Sequence, residues 1–166
     1  MPGIGQISPT LESIWDYPAT PLVESTSARL QVIYNGFLIA DSDRCLRVVR
    51  HGHAPQYYFP AEDVRVEYLF RSGYQTDDPK LGAATYYTLS VGDHSEPNAT
   101  WCFHSPCPGF EPLADRIAFH SGKIDAAFVD GEPVHAPPRD EDGGWVTRSI
   151  IGLSEGYPKG WRLEQP

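Results

Sequence analysis

Residues 30–40 read LQVIYNGFLIA, and this stretch decides the fold class. Two runs of mostly apolar residues flank the dipeptide Asn35-Gly36. Because a two-residue type I′ turn requires positive φ at both central positions, Asn-Gly between such runs is a strong signal for a β-hairpin. The sequence therefore predicts a pair of antiparallel strands here.

Further strand patterns follow the hairpin. Residues 64–70 alternate in the period of a half-buried strand, and residues 86–91 form an apolar and aromatic run that ends at Gly92-Asp93. Residues 124–129 form another run, which Asp130-Gly131 turns back toward residues 132–134. Weaker strand patterns lie at residues 45–49, 57–59 and 99–103.

Helical signals are scarce. The chain has 15 glycines and 16 prolines among 166 residues, which is too many turn-forming residues for a helical bundle. Ser8 as N-cap and Pro9 at the first helical position predict a short helix through Trp15, and residues 112–119 predict a second. We expect a mainly β protein with small twisted antiparallel sheets and one or two short helices.

The length of 166 residues fits one domain with terminal extensions. We expect an N-terminal extension at residues 1–28, a core domain at 29–135, and a linker and tail at 136–166. Residues 137–144 are a polar linker, and four large apolar side chains follow it. Because such side chains favour the interior, the tail is expected to pack back onto the core. They are Trp145, Ile150, Ile151 and Trp161.

Charge and cysteine content limit the partners and the compartment. The formal net charge of −9 excludes nonspecific binding to nucleic acid or to an anionic membrane. Three cysteines and a start without a signal-peptide pattern predict free thiols in the cytoplasm. The expected partner is a small molecule, and the exposed strand edges of a small sheet leave homodimerisation open.

The side chains suited to acid–base chemistry predict an enzyme that needs no cofactor. Histidine titrates near neutral pH and is the preferred proton carrier, and carboxylates can assist it. Lyase, isomerase and cyclase reactions require only such groups. The nucleophile elbow, the phosphate-binding loop and the dinucleotide fingerprint are all absent from the sequence. The candidate catalytic residues are His51, His53, Glu62 and Asp78.

The aromatic residues suit a pocket for a small ligand, since tyrosine and tryptophan combine an apolar body with a polar tip. An alternative function is therefore a non-catalytic module that holds a small molecule or a peptide in an aromatic cage. The candidate ligand-binding residues are Arg50, Tyr58, Tyr86, Trp101 and Trp145.

A metal site is a weaker alternative. Cys102 and His104 are two residues apart, so they would share one face of a strand, with Cys107 close behind. His51 and His53 have the same spacing, and His53 is a candidate fourth ligand to the cysteine group. No paired Cys-x-x-Cys motif occurs, which favours buried thiols and surface imidazoles over a metal.

An ordered set of motifs resembles the bacterial and fungal family called domain of unknown function 427. The motifs are ESIWDYP at 12–18, YYFPAEDVR at 57–65, ATYY at 84–87, NATW at 98–101 and VDGE at 129–132. The tail motifs GGWVT at 143–147 and GW at 160–161 resemble the longer members. The resemblance implies a β-tent-like fold, in which some related domains bind zinc through cysteine knuckles and others bind small ligands in an aromatic cage.

The chain departs from that family at charged positions. By this resemblance, Asp78 stands at a family cysteine, Leu81 at a family lysine and Glu155 at a second lysine. Arg50 stands where the family tends to have glutamate. If these positions border one pocket, its electrostatics differ from those of the relatives.

Overall fold

Strands dominate the residues that the computed structural model describes, which are 10–138 and 142–153. This part of the chain contains 13 β-strands, five 3₁₀ helices and no α-helix, so the fold is mainly β, as predicted. The strands are β1 (Glu12–Ser13), β2 (Leu22–Ser25), β3 (Leu30–Tyr34), β4 (Phe37–Ser42), β5 (Leu46–Val49), β6 (Gln56–Phe59), β7 (Leu69–Asp78), β8 (Gly82–Val91), β9 (His94–Cys102), β10 (Ile117–Phe119), β11 (Ala126–Val129), β12 (Glu132–Pro133) and β13 (Ile150–Ile151). The 3₁₀ helices are Ile14–Asp16, Ala61–Asp63, Val66–Tyr68, Glu111–Leu113 and Ser121–Lys123.

The predicted hairpin is confirmed. Strands β3 and β4 pair antiparallel, with Tyr34 opposite Phe37. Asn35 has φ 49° and Gly36 has φ 78°, the two positive values that a type I′ turn requires. Asp130 and Gly131 repeat this pattern, with φ 49° and 83°, between β11 and β12.

Eleven of these strands form two antiparallel sheets, and β1 and β13 form a separate two-stranded parallel sheet. The large sheet has seven strands in the order β2-β5-β6-β10-β9-β8-β7, and the small sheet has four in the order β12-β11-β3-β4. Alternation along each strand of the large sheet divides its side chains between two faces. On β6, Phe59 packs in the main core between the sheets, whereas Tyr58 belongs to a second cluster. On β9, Cys102 and Trp101 divide in the same way, so the large sheet has a second apolar face away from the main core.

The predicted strand at residues 64–70 is wrong over most of its length. Val64 makes a bridge to Ala40 of the small sheet, whereas Leu69 pairs with Leu89 of the large sheet. The chain crosses from one sheet to the other between these points, and it does so through the 3₁₀ helix Val66–Tyr68. The alternating pattern therefore marks a crossing segment followed by the start of β7.

Both predicted helices need correction. The first is only the 3₁₀ helix Ile14–Asp16, whose N-cap is Ser13: its Oγ accepts the Trp15 N–H at 3.2 Å. Ser8 and Pro9 lie outside the described residues. The second is the 3₁₀ helix Glu111–Leu113, after which β10 pairs with β6 and β9 and so takes the extended conformation. In the described ranges, no helix is long and apolar enough to span a membrane.

Residues 142–153 pack against the rest of the molecule. Strand β13 pairs with β1 in parallel, and Val146 and Ile150 are buried with Ile14. Two backbone segments approach closely at Gly144, where a Cβ would lie 2.9 Å from the backbone oxygen of Ala54. This contact brings the chain before Trp145 onto the second face of the large sheet, whereas Trp161 lies outside the described residues.

Candidate functional site

A cavity of about 510 Å³ lies on the second face of the large sheet. Three of the aromatic residues that line it come from one transverse row of the sheet. Tyr58 of β6 is opposite Ala118 of β10, which is opposite Trp101 of β9, which is opposite Tyr86 of β8. Because Ala118 is small, the large rings on either side of it can meet over it. The strand pairing therefore builds an aromatic floor from residues far apart in the sequence.

Hydrogen bonds hold this floor in place. Tyr58 is fully buried, and its hydroxyl accepts from Trp101 Nε1 at 3.1 Å and donates to Gln56 Oε1 at 3.3 Å. Burial raises the pKa of Tyr58, so its hydroxyl keeps its proton and acts as a neutral anchor. The Tyr86 ring lies 6.1 Å from Trp101, tilted by 34°, and is only half-buried. Tyr86 is thus the part of the floor that a ligand can reach most directly.

One ion pair borders the cavity. Arg50 Nη2 lies 2.9 Å from Asp78 Oδ2, and the backbone N–H groups of Lys80 and Leu81 donate to Asp78 Oδ1 at 2.9 and 3.1 Å. Burial alone would raise the pKa of Asp78, but these N–H groups and Arg50 outweigh it and lower that pKa below its usual value. Asp78 is therefore an anion near neutral pH, and it fixes the guanidinium of Arg50 at the cavity.

A histidine–carboxylate pair also lines the cavity. His53 Nδ1 is hydrogen-bonded to Asp142 Oδ2, and Gln56 Nε2 donates to the backbone oxygen of Asp142 at 2.7 Å. The hydrogen bond with His53 lowers the pKa of Asp142, against the effect of burial. Asp142 therefore stays ionised near neutral pH, and because a carboxylate can only accept, Nδ1 of His53 is the donor in this hydrogen bond.

Six of the predicted site residues line this cavity together. They are Arg50, His53, Tyr58, Asp78, Tyr86 and Trp101. The other three do not line it. The His51 ring packs edge-on against Trp15, with 5.3 Å between the ring centres. Glu62 is exposed, and its Oε2 lies 3.4 Å from Arg44 Nη2. Trp145 is 1% exposed and packs in the main core.

The expectation that His51 and His53 share a face is wrong. These residues lie in a turn between β5 and β6, where the His53 N–H donates to the Arg50 carbonyl at 3.1 Å. Gly52 has φ 83°, in the left-handed region. The turn sends the two imidazoles to different places, so the face-sharing rule for strands does not apply here.

The predicted metal candidates are only partly brought together. Donor atoms of Cys102, His104 and Asp115 lie within 4.8 Å of one another. Cys107 is not in this group, and its backbone N–H donates to the carbonyl of Leu81 near the cavity instead. Burial raises the pKa of the Cys102 thiol to about 12. All three cysteines of the chain are free.

Sequence reasoning missed several cavity residues. Asp142 lies in a polar stretch that was interpreted as a linker, and only tertiary packing brings it to His53. Asn98 lines the cavity with its Oδ1 buried and without a hydrogen-bond partner among the described residues. Its φ of 56° is rare outside glycine, but no local pattern distinguishes such an asparagine from one in an ordinary turn.

Comparison with known proteins confirms the family that the sequence resembles. Residues 22–130 match the family described as domain of unknown function 427. The chain belongs to this family. No curated protein matches the chain.

The departures from the motifs of domain of unknown function 427 can now be placed on the structure. Arg50, Asp78 and Leu81 all line the cavity, and Arg50 and Asp78 form its ion pair. Glu155 lies outside the described residues. The three described positions at which the resemblance implies a departure therefore lie at one cavity.

The ionised state of Asp78 predicts how acid affects stability. A carboxyl group whose pKa is lowered on folding stabilises the fold above its unfolded pKa of about 3.9, and this contribution is lost as the pH falls through the folded value. Asp78→Asn should therefore lower the melting temperature at pH 7, and its difference from the wild type should shrink toward pH 3. Thermal unfolding followed by circular dichroism across this range measures both.

Asp93→Asn is the control for removal of one negative charge, since the Asp93 side chain is 93% exposed. It should leave the melting temperature nearly unchanged at pH 7. A difference between Asp78→Asn and the wild type that stays constant from pH 7 to pH 3 would contradict the prediction.

Proposed function

We propose that this protein is an enzyme that binds a small amphipathic molecule in the cavity and transfers a proton to or from it. The reaction class is a lyase, isomerase or cyclase type of acid–base chemistry. The observation that carries the proposal is the His53–Asp142 pair at a cavity with an aromatic floor and an arginine at its border.

His53 is the proposed proton carrier. Its Nδ1 is engaged by Asp142, so Nε2 is the nitrogen that accepts a proton from the substrate and later returns it. Asp142 stabilises the imidazolium that forms, as a carboxylate does for histidine bases in general. The side chain of Gln56 links two of these residues. Its Nε2 donates to the backbone oxygen of Asp142, and its Oε1 accepts from the hydroxyl of Tyr58.

Arg50 is the proposed electrostatic partner. A proton taken from a carbon next to a carbonyl group leaves negative charge on the carbonyl oxygen as the enolate forms, and a guanidinium supplies several N–H donors for such an atom. Asp78 holds Arg50 in position at 2.9 Å, so the site does not have to rearrange when that charge develops. Arg50 and His53 both line the cavity, which lets one molecule contact both.

The remaining lining indicates the substrate class. A volume of about 510 Å³ falls within the usual range for small-molecule sites. Tyr86 and Trp101 provide an apolar surface for a flat or aliphatic part, and Arg50 provides N–H donors for an oxygen atom of the same molecule. An amphipathic metabolite with a carboxylate or carbonyl group has this combination.

A binding module without turnover is the second candidate. The row of Tyr58, Trp101 and Tyr86 favours it, because an aromatic surface on a rigid sheet holds a ligand without any catalytic group. The two candidates differ in one respect only, which is whether the bound molecule is recovered changed.

The experiment follows from that difference. Native mass spectrometry of the purified full chain detects molecules that are already bound. Thermal-shift screening of small amphipathic carboxylic acids and carbonyl compounds then identifies further ligands. Each stabilising molecule is then incubated with the protein in D₂O and examined by proton NMR. Loss of a carbon-bound proton signal or formation of product supports the enzyme. A molecule that binds in the cavity and is recovered without exchange supports the binding module, and the enzyme proposal fails.

A further inference from the structure

Three metal-ligand side chains converge on the side of β9 opposite the cavity. Cys102 ends β9, and His104 follows two residues later. The intervening Phe103 lines the cavity, so Cys102 and His104 lie on the other side of the extended chain. Cys102 Sγ and His104 Nδ1 are 4.0 Å apart.

The third side chain, Asp115, comes from a separate loop. Its N–H donates to the carbonyl of Phe103 at 3.0 Å, and Ala114 forms a bridge with Phe103. These contacts attach the loop beside β9, and Asp115 Oδ1 lies 2.7 Å from His104 Nδ1. We call Cys102, His104 and Asp115 the Cys-His-Asp cluster.

The distances fit a single cation. All three donor atoms lie within 4.8 Å of one another. Bonds of about 2.0 Å to nitrogen or oxygen and about 2.3 Å to sulfur place neighbouring ligands of a tetrahedral ion about 3.3–3.5 Å apart when only one of them is sulfur. The Cys102–His104 separation of 4.0 Å exceeds this range and the His104–Asp115 separation of 2.7 Å falls short of it, so an ion of this kind requires side-chain rotations that bring both into range.

The other ring nitrogen of His104 has the support that metal-binding histidines require. Tyr87 Oη lies 2.8 Å from His104 Nε2, and Tyr87 is on β8, paired with β9. A metal-binding histidine usually anchors its second nitrogen in this way, and the anchor fixes the ring so that the first nitrogen points at the ion. In the cluster, that first nitrogen is Nδ1, the atom that faces Cys102 and Asp115.

The three side chains leave one side of the cluster open to solvent, where a fourth ligand can bind. Cys102 is 3% exposed, whereas the side chains of His104 and Asp115 are 42% and 71% exposed. Three protein ligands with one side toward solvent is the arrangement of zinc sites that keep water or another exchangeable ligand in the fourth position. A thiolate, an imidazole and a carboxylate together suit a borderline-soft divalent ion.

We propose that the Cys-His-Asp cluster binds a divalent transition-metal cation of the Zn²⁺ type, with water in the fourth position. On binding, Cys102 releases its thiol proton to solvent and coordinates through the thiolate. This site is separate from the cavity, since Trp101 and Phe103 line the cavity and the cluster residues do not. The proposed metal site is therefore independent of the proposed acid–base function.

Cobalt is the probe for the test, because a Co²⁺–thiolate bond gives a charge-transfer band in the near ultraviolet and tetrahedral Co²⁺ gives visible bands. The tag-free, reduced full chain is titrated with Co²⁺ and then with Zn²⁺. We expect both kinds of band to appear at one equivalent of Co²⁺, and Zn²⁺ to remove them. Cys102→Ser should abolish the charge-transfer band.

Further variants separate metal binding from folding. His104→Gln and Asp115→Asn change exposed side chains and should weaken Co²⁺ binding while near-ultraviolet circular dichroism of the metal-free protein stays as in the wild type. Tyr87→Phe removes the anchor only and should weaken binding about 10–100-fold. Cys107→Ser is the matched thiol control and should leave the charge-transfer band intact.

Clear outcomes would overturn the proposal. One is a wild-type titration without a charge-transfer band. Another is a band that persists in a folded Cys102→Ser variant or disappears in Cys107→Ser. A band that is unaffected by His104→Gln and Asp115→Asn would show that other residues complete the site, and this too contradicts the Cys-His-Asp cluster.

Discussion

Replacing His53 with glutamine is expected to lower turnover by about 10²–10⁴-fold, the usual contribution of general acid–base catalysis. Glutamine is similar in size and can still hydrogen-bond to Asp142, but it cannot take up a proton at neutral pH. Binding of a molecule found in the thermal-shift screen should change little, because the aromatic floor and Arg50 remain. The measurement is the rate of carbon-bound proton exchange or product formation, together with the dissociation constant.

His51→Gln provides a matched control in the same turn. His51 packs against Trp15 outside the cavity, so its replacement should leave turnover within about twofold of the wild type. Full activity of a folded His53→Gln variant would rule out His53 as the proton carrier. Equal loss of turnover and of binding in that variant would indicate a role in holding the ligand.

Asp142→Asn separates the two members of the pair. Asparagine keeps the size of the side chain but offers no negative charge to an imidazolium, so turnover should fall by on the order of 10²-fold or more. Because the histidine remains, the pH dependence of turnover should also shift, which a purely structural effect would not produce. An unchanged pH profile with reduced stability would mean that Asp142 only anchors the tail.

Part of this fold is predictable because some turns require particular residue types. The Asn35-Gly36 turn needs positive φ at two adjacent residues, and that requirement is visible in the sequence itself. The alternation at residues 64–70 does not correspond to one strand, because the partners of the segment decide its conformation and the sequence pattern does not reveal them. Val64 and Leu69 pair with different sheets, and a chain that changes sheets between them cannot remain one strand.

The residues of the candidate cavity are also only partly predictable from the sequence. The sequence predicts ligand binding separately for Tyr58, Trp101 and Tyr86. The register that places them in one row involves Ala118, and no sequence pattern marks that alanine. Asp142 could not be predicted for a similar reason. It reaches His53 across 89 positions of sequence, through packing of the tail that no local pattern describes.

Trp145→Ala is expected to lower the free energy of unfolding by about 3–5 kcal/mol, since it removes a large fully buried side chain from the main core. Trp145 is 1% exposed, its Nε1 donates to the Phe119 carbonyl at 2.9 Å, and its ring lies 5.2 Å from Tyr57. Denaturant unfolding measures the loss. Trp15→Ala is the control, because Trp15 is 55% exposed and its truncation should cost far less.

A conservative variant distinguishes this core role from the ligand-binding role that the sequence suggested for Trp145. Trp145→Phe keeps most of the apolar volume but leaves the Phe119 carbonyl without its donor, at a cost of about 1–3 kcal/mol. Ligand affinity should be nearly unchanged at temperatures where the variant is folded. Because Gly143 and Gly144 join Trp145 to Asp142, any loss of turnover should come from a changed position of that carboxylate. A variant that keeps full stability but loses ligand affinity would instead place Trp145 in the binding site.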